Sequence, residues 1–236
     1  MTRDLVYGRR PVREALRGPR AVLEVWATER ALASEPWLAD VRVKPKQERE
    51  LADAAATRDH QGVVAWCVPY RYADPYELAS QPAPLIVALD QVSDPHNLGA
   101  VCRSAEAAGA TGVVLPAHGS ATVTAAVCKA SAGAVEHLSV AVVTNLARYL
   151  NEVKGPELWV WAATGDAERT MWEADLTGGV ALVLGAEGKG LRPLVRRACD
   201  EAVAIPLLGR VESLNVSVAA GVLLYEARRQ RRGAQE

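Results

Sequence analysis

Ile205-Pro-Leu-Leu-Gly-Arg-Val-Glu-Ser-Leu-Asn-Val-Ser-Val-Ala-Ala-Gly-Val-Leu-Leu-Tyr225 is the stretch on which the reading of this chain turns. An apolar strand, Ala202 to Ile205, runs into it. Pro206 stops that strand, because it has no N–H to donate to a ladder. Gly209 loosens the turn. Ser213 is placed to cap a following helix, its hydroxyl accepting an orphan backbone N–H. Leu214, Val218, Val222 and Tyr225 make one apolar stripe, and Val216, Ala220, Leu223 and Leu224 cover much of the rest. A helix apolar nearly all round is buried on most sides. Ser213, Asn215 and Ser217 nevertheless put polar groups at its start, and buried polar groups need partners. A capped core helix explains the pattern; so does a chemical site at a helix N-terminus walled by aliphatic chain.

Upstream, strand-sized apolar runs alternate with helical ones. Leu85–Leu89, Gly112–Leu115, Leu138–Val143, Leu158–Ala163 and Gly179–Leu184 read as strands. Between them lie helices at Leu98–Ala108, Thr122–Ala132, Leu146–Val153 and Leu191–Ala198. This alternation predicts a mostly parallel sheet covered on both faces. Ligands of such sheets sit past the carboxyl ends of strands, here the loops after Leu89, Ala163, Leu184 and Ile205.

Before Leu85 the elements are shorter. A helix starting near Pro11, a strand from Ala21 to Thr28, a helix from Lys46 to Thr57 and a buried strand ending at Val68 suggest a small α/β unit. Pro69, Pro75, Pro82 and Pro84 then punctuate a tyrosine-bearing segment read as an extended linker or a docking strap. The expected organisation is therefore a small N-terminal α/β domain over 1–70, a proline-rich linker over 71–84 and a larger α/β domain over 85–236.

Total charge is −1, and neither part is strongly basic: 13 basic against 12 acidic residues up to Pro84, 14 against 16 beyond it. Any nucleic-acid contact has to come from local patches. Candidates are Arg9, Arg10, Arg13, Arg17 and Arg20 near the start and Arg228, Arg229, Arg231 and Arg232 near the end. Cys67, Cys102, Cys128 and Cys199 form no C-x-x-C pair, which suits free thiols in a reducing cytosol rather than zinc or disulfides. No apolar run is long enough for a signal core or a membrane span, so a cytoplasmic protein with no membrane partner and no metal is expected.

The loop after Leu89 carries Asp94-Pro95-His96-Asn97-Leu98-Gly99 and, one turn on, Arg103. Asn97 lies near a helix cap. Arg103 sits among Ala100, Val101, Cys102 and Ala105, where a buried guanidinium is costly without an anion. The loop after Leu184 reads Gly185-Ala-Glu187-Gly188-Lys-Gly190. A Walker A loop would need Gly at Val183 and Ser or Thr at Gly190, and a dinucleotide fingerprint needs G-x-G-x-x-G; both fail. A nucleophile elbow at Lys129-Ala-Ser131-Ala-Gly133 lacks its leading glycine. The ligand edge thus offers Asn97, Arg103, Glu187, Ser213 and Asn215 as polar groups, and Gly185, Ile205, Leu207 and Leu214 as a backbone-rich apolar wall. That wall suits a flat neutral base such as adenine.

Asp94-Pro95-His96-Asn97-Leu98-Gly99-Ala-Val-Cys-Arg103, Gly185-Ala-Glu187-Gly188-Lys-Gly190-Leu191 and Glu212-Ser213-Leu214-Asn215-Val216-Ser217 resemble the three motifs of the SpoU (TrmH-type) RNA ribose 2′-O-methyltransferases of the SPOUT superfamily. The likeness covers roughly the last 150 residues. Val6-Tyr7-Gly8-Arg-Arg-Pro-Val and His60-Gln61-Gly62-Val63 resemble the family's N-terminal substrate-binding domain. The resemblance implies a deep trefoil knot and S-adenosylmethionine as methyl donor, held at Gly185, Ile205, Leu207 and Leu214. It also implies a homodimer with shared active sites and catalytic roles for Asn97, Arg103, Glu187, Ser213 and Asn215. The implied substrate is structured RNA, 23S rRNA ahead of tRNA. A non-catalytic RNA-binding or assembly protein on the same scaffold is the competing reading.

Overall fold

A computed structural model of the chain describes residues 2–233. In chain order the elements are β1 (Asp4–Tyr7), α1 (Arg9–Arg17), β2 (Val22–Ala27), α2 (Glu29–Ser34), β3 (Val43–Pro45), α3 (Glu48–Ala55), β4 (Val63–Cys67), α4 (Pro75–Ala79), β5 (Leu85–Asp90), α5 (Pro95–Ala107) and β6 (Gly112–Pro116). There follow α6 (Ala125–Ala130), β7 (Val140–Val143), α7 (Leu146–Val153), β8 (Trp159–Ala163), β9 (Val180–Gly185), α8 (Pro193–Ala198), β10 (Glu201–Val203) and α9 (Val216–Gly233).

The chain forms two compact units. One is built from residues up to 71 together with 122–137, the other from 72–121 and the chain from 138 onward. The first holds a four-stranded sheet in the order β1-β4-β2-β3, with β4 antiparallel to both β1 and β2. Its α3 starts with a capping box: Glu50 Oε2 accepts the Gln47 backbone N–H at 2.9 Å. One finding differs from the sequence expectation: residues 122–137, expected within the larger domain, pack into the first unit. The proline-rich segment is ordered and packs as a strap within the second unit: Asp74 caps α4 by accepting the Tyr76 and Glu77 N–H groups, and Ala73 bridges Ala141.

The second unit is a wholly parallel six-stranded sheet, ordered β10-β8-β9-β5-β6-β7. Leu85 to Asp90, Gly112 to Pro116 and Val180 to Leu184 are buried without a break. Continuous apolar runs of this kind belong to strands covered on both faces. The carboxyl ends of β5, β8, β9 and β10 therefore carry the loops singled out in the sequence.

The helix that opened the reading behaves differently from its prediction. α9 begins at Val216, and its cap is Asn215, whose Oδ1 accepts the Ser217 N–H at 2.9 Å; Ser213 does not serve. Val216, Ala220, Leu223, Leu224 and Ala227 are buried, whereas Val218 and Tyr225 of the first stripe are about half exposed, at 50% and 56%. The helix has one covered face and one bare apolar face, where burial on most sides was expected.

Two proposed basic patches also change. Arg20 is buried against Glu136 in the first unit. Arg228 donates to the carbonyls of Ala108 and Gly109, and Arg231 to those of Ala83, Pro84 and Gly178. These arginines hold loop ends together. No helix among the described residues is long and apolar enough to cross a membrane.

Candidate active site

β9 ends at Gly185, and the chain then turns back on itself. Gly190 N–H bonds to Ala186 O at 2.9 Å, with Gly188 and Gly190 at φ +72° and +64°. Glycine takes these left-handed values without steric cost. Gly185 is required for another reason. A Cβ there would stand 2.2 Å from the Gly190 carbonyl, so a side chain has no room.

The base of the loop is clamped to the neighbouring strand. Asp90, fully buried at the end of β5, accepts the Arg192 backbone N–H through Oδ2 and the Arg192 Nε through Oδ1, each at 2.8 Å. Arg192 Nη2 lies 2.7 Å from the same Oδ1.

Between this loop, the ends of β8 and β10 and the approach to α9 is a cavity of about 500 Å³. Its wall includes Gly185, Glu187, Ile205, Leu207, Ser213 and Leu214, six of the nine residues singled out from the sequence. Asn97 and Asn215 do not line it but bond to Glu187, which does. Glu187 Oε1 accepts Asn97 Nδ2 at 3.2 Å and also accepts Asn215 Nδ2, which itself donates to Asn97 Oδ1 at 3.0 Å. Ser217 Oγ donates to Asn215 Oδ1 at 2.5 Å and fixes that amide. Asn97 in the first turn of α5, Glu187 in the loop after β9 and Asn215 at the start of α9 thus form one hydrogen-bonded cluster, which orients the carboxylate of Glu187.

Arg103 is the exception. It is exposed on α5, lies outside the cavity wall, and has no hydrogen bond or ion pair among the described residues. The anticipated desolvation cost is therefore absent, because the small residues around it, Val101, Cys102 and Ala105, face inward while Arg103 faces out.

Sequence reasoning missed Thr164, Gly165, Asp166 and Arg196, all on the cavity wall. Arg196 Nη1 donates to both Asp166 oxygens, at 3.1 and 3.0 Å. These bonds hold the Asp166 carboxyl below the usual carboxylate range. The strand-end rule had pointed to the loop after Ala163, and the Thr-Gly-Asp that follows it was the available signal.

The wall fits S-adenosylmethionine in size and character. The volume is typical of a pocket for a ligand of that class. Aliphatic side chains and glycine backbone suit adenine, and the carboxylates of Asp166, Glu187 and Glu212 suit a cationic donor. Among the described residues no group of three or more His, Cys, Asp or Glu is arranged to hold a metal ion.

Residues 84–225 match the SpoU rRNA Methylase family, and residues 5–73 match the RNA 2′-O ribose methyltransferase substrate binding family. The chain is 44% identical over 242 residues to a 23S rRNA (guanosine-2′-O-)-methyltransferase RlmB of Pseudomonas putida, covering 97% of each. It is 52% identical over 180 residues to the RlmB of Xanthomonas campestris, covering 74% of this chain and 72% of that one. Among solved structures it resembles the SpoU methyltransferase AviRb of Streptomyces viridochromogenes in complex with AdoMet, with TM-score 0.80, 26% identity, and 98% and 91% of the two chains covered. An RNA 2′-O ribose methyltransferase crystal structure matches with TM-score 0.81 at 31% identity, covering 98% and 89%.

Proposed function

This chain belongs to the SpoU rRNA methylase family, and from that premise we propose that it methylates the ribose 2′-oxygen of a guanosine in 23S rRNA. It is an S-adenosylmethionine-dependent RNA 2′-O-methyltransferase. The observation that carries the proposal is the Asn97–Glu187–Asn215 cluster, set on the wall of a cavity of donor size.

S-adenosylmethionine, when bound, supplies a methyl group made electrophilic by its sulfonium. Gly185, Ile205, Leu207 and Leu214 would hold it against backbone and aliphatic surface, with Ser213 on the same wall. The ribose hydroxyl is a weak nucleophile and loses its proton as its oxygen bonds the methyl carbon and the sulfur–methyl bond breaks, with S-adenosylhomocysteine as the leaving group. Glu187 keeps Oε2 available to fix that hydroxyl, since its hydrogen bonds among the described residues all use Oε1. Asn97 and Asn215 hold the carboxylate in place.

Arg103 is always protonated and cannot serve as the base. Its guanidinium pairs with the adjacent phosphate and stabilises the developing alkoxide, while a phosphate oxygen or water takes the proton. Because Arg103 is exposed and does not line its own chain's cavity, we assign it to the active site of a second subunit. The bare apolar face of α9, with Val218 and Tyr225, supports such a homodimer. Arg103 is followed by Ser104, which faces Gly221 of α9, so the helix that carries Arg103 packs beside α9. The trefoil knot belongs to the same proposal, supported by a cavity walled at once by residues 184–191 and 203–219.

Mapping ribose methylation in rRNA and tRNA from cells lacking the protein tests the substrate. Loss of one 2′-O-methylguanosine from 23S rRNA is expected. Loss from tRNA alone moves the substrate to tRNA, and no loss from either overturns the proposal.

A further inference from the structure

We propose that a second cavity in the larger unit takes the target base, and that Asp94, Gln91 and Ser93 select guanine there. The inference rests on the guanosine reading above and adds the residues that choose the base. The cavity measures about 390 Å³ and shares Ala186, Glu187, Lys189 and Val216 with the donor cavity. Asn97 lines it as well. A nucleoside lodged there would place its ribose beside Glu187, on the wall common to both cavities. A base reaches such a pocket only when unstacked from its helix or already single-stranded.

Its polar lining is unspent. Asp94 caps α5 through Oδ1, which accepts the His96 N–H at 2.9 Å. Its Oδ2, the Gln91 amide and the Ser93 hydroxyl make no hydrogen bond among the described residues. The Gln91 position is over-determined. Its backbone sits at φ +60°, uncommon for a residue with a side chain. Gly119 lies beneath its amide, where a Cβ would stand 2.9 Å from Gln91 Nε2. The next residue is tied down by Ala121 N–H to Val92 O at 2.9 Å. Strained, well-held residues of this kind collect at functional sites.

The chemistry selects one base. Guanine presents two adjacent donors, N1–H and N2–H, beside the O6 acceptor. A carboxylate accepts both donors, and an amide or hydroxyl donates to O6. Adenine and cytosine would turn a ring-nitrogen lone pair toward Asp94, and uracil offers a single N–H.

Asp94→Asn separates this role from capping, because Asn is as good an N-cap as Asp. The assay uses rRNA fragments with guanosine or inosine, which lacks the 2-amino group, at the mapped position. The wild-type protein should prefer guanosine by about tenfold or more in kcat/KM. Asp94→Asn should bring that ratio near one while S-adenosylmethionine affinity by calorimetry is unchanged. Gln91→Ala should lower kcat/KM on both RNAs alike. Retention of the wild-type ratio by Asp94→Asn overturns the proposal. Should that variant lose donor binding, the wild-type protein decides, and equal rates on guanosine and inosine overturn it. Absence of any ribose methylation of the guanosine RNA by wild-type protein overturns instead the functional reading beneath it.

Discussion

Asp90 and Arg192 stand 102 residues apart in the chain, yet the carboxylate of one takes both the backbone N–H and the guanidinium of the other. Asp90 is fully buried, while the Arg192 side chain is 44% exposed. The pair fastens the exit of the glycine loop to the end of β5, the strand that leads to α5 and Asn97. Removing Arg192 leaves a buried charge with a single remaining donor. Breaking a buried pair from one side costs about 3–5 kcal/mol, less when one partner is half in water. Arg192→Ala should therefore lower stability to urea by about 2–3 kcal/mol and weaken donor binding.

Gly185→Ala tests the cavity wall directly. The added methyl would collide with the Gly190 backbone, which has no flexible side chain to give way. Overpacking against backbone forces the loop outward. Calorimetry should show S-adenosylmethionine affinity reduced by at least about tenfold, an effect of about 1.4 kcal/mol. Unchanged affinity would mean that the donor does not rest on this turn.

RNA contact by the smaller unit is expected to be electrostatic and local. Arg10 and Arg13 are exposed on α1 and border a cavity of about 470 Å³ with the half-buried Trp37. Each phosphate contact contributes about −0.9 to the slope of log affinity against log salt on duplex. The double variant Arg10→Ala/Arg13→Ala should flatten that slope by roughly one to two units in fluorescence anisotropy. Donor binding should not change.

Burial pushes the thiol of Cys67 up to about 11, and those of Cys128 and Cys199 up to about 12. The folded protein keeps these protons where the unfolded chain, with thiols near 9, releases them. The stability they contribute is complete below about pH 9 and is lost as pH rises toward 11 and 12. Urea midpoints should fall across that window. At pH 8 the native protein should react slowly with a thiol reagent and the unfolded chain rapidly.

The parts of the site legible in the sequence are those made by local chain. Glycines at 185, 188 and 190 announce a tight turn wherever they fall, and unbroken apolar strands announce a buried parallel sheet. That placed Gly185, Ile205, Leu207 and Leu214 on one wall without any knowledge of packing. What escaped depends on which surfaces meet. Helical periodicity showed two apolar stripes on α9 but not which one the sheet would cover. The neighbours of Arg103 are small and apolar because they face inward, and composition cannot say that the arginine between them faces out. Residues 122–137 continue the alternation of the larger domain in sequence, yet their contacts lie with the smaller unit. Ser213 and Asn215 both suit a cap, and the path of the preceding loop gives the role to Asn215.

The most direct test is nucleoside mass spectrometry of 23S rRNA transcripts incubated with the protein and isotopically labelled S-adenosylmethionine. Label is expected in 2′-O-methylguanosine, at no more than one site per transcript, and absent with Glu187→Ala. Label on a base, or undiminished ribose labelling by Glu187→Ala, would contradict the assignment of this cavity and its carboxylate to methyl transfer.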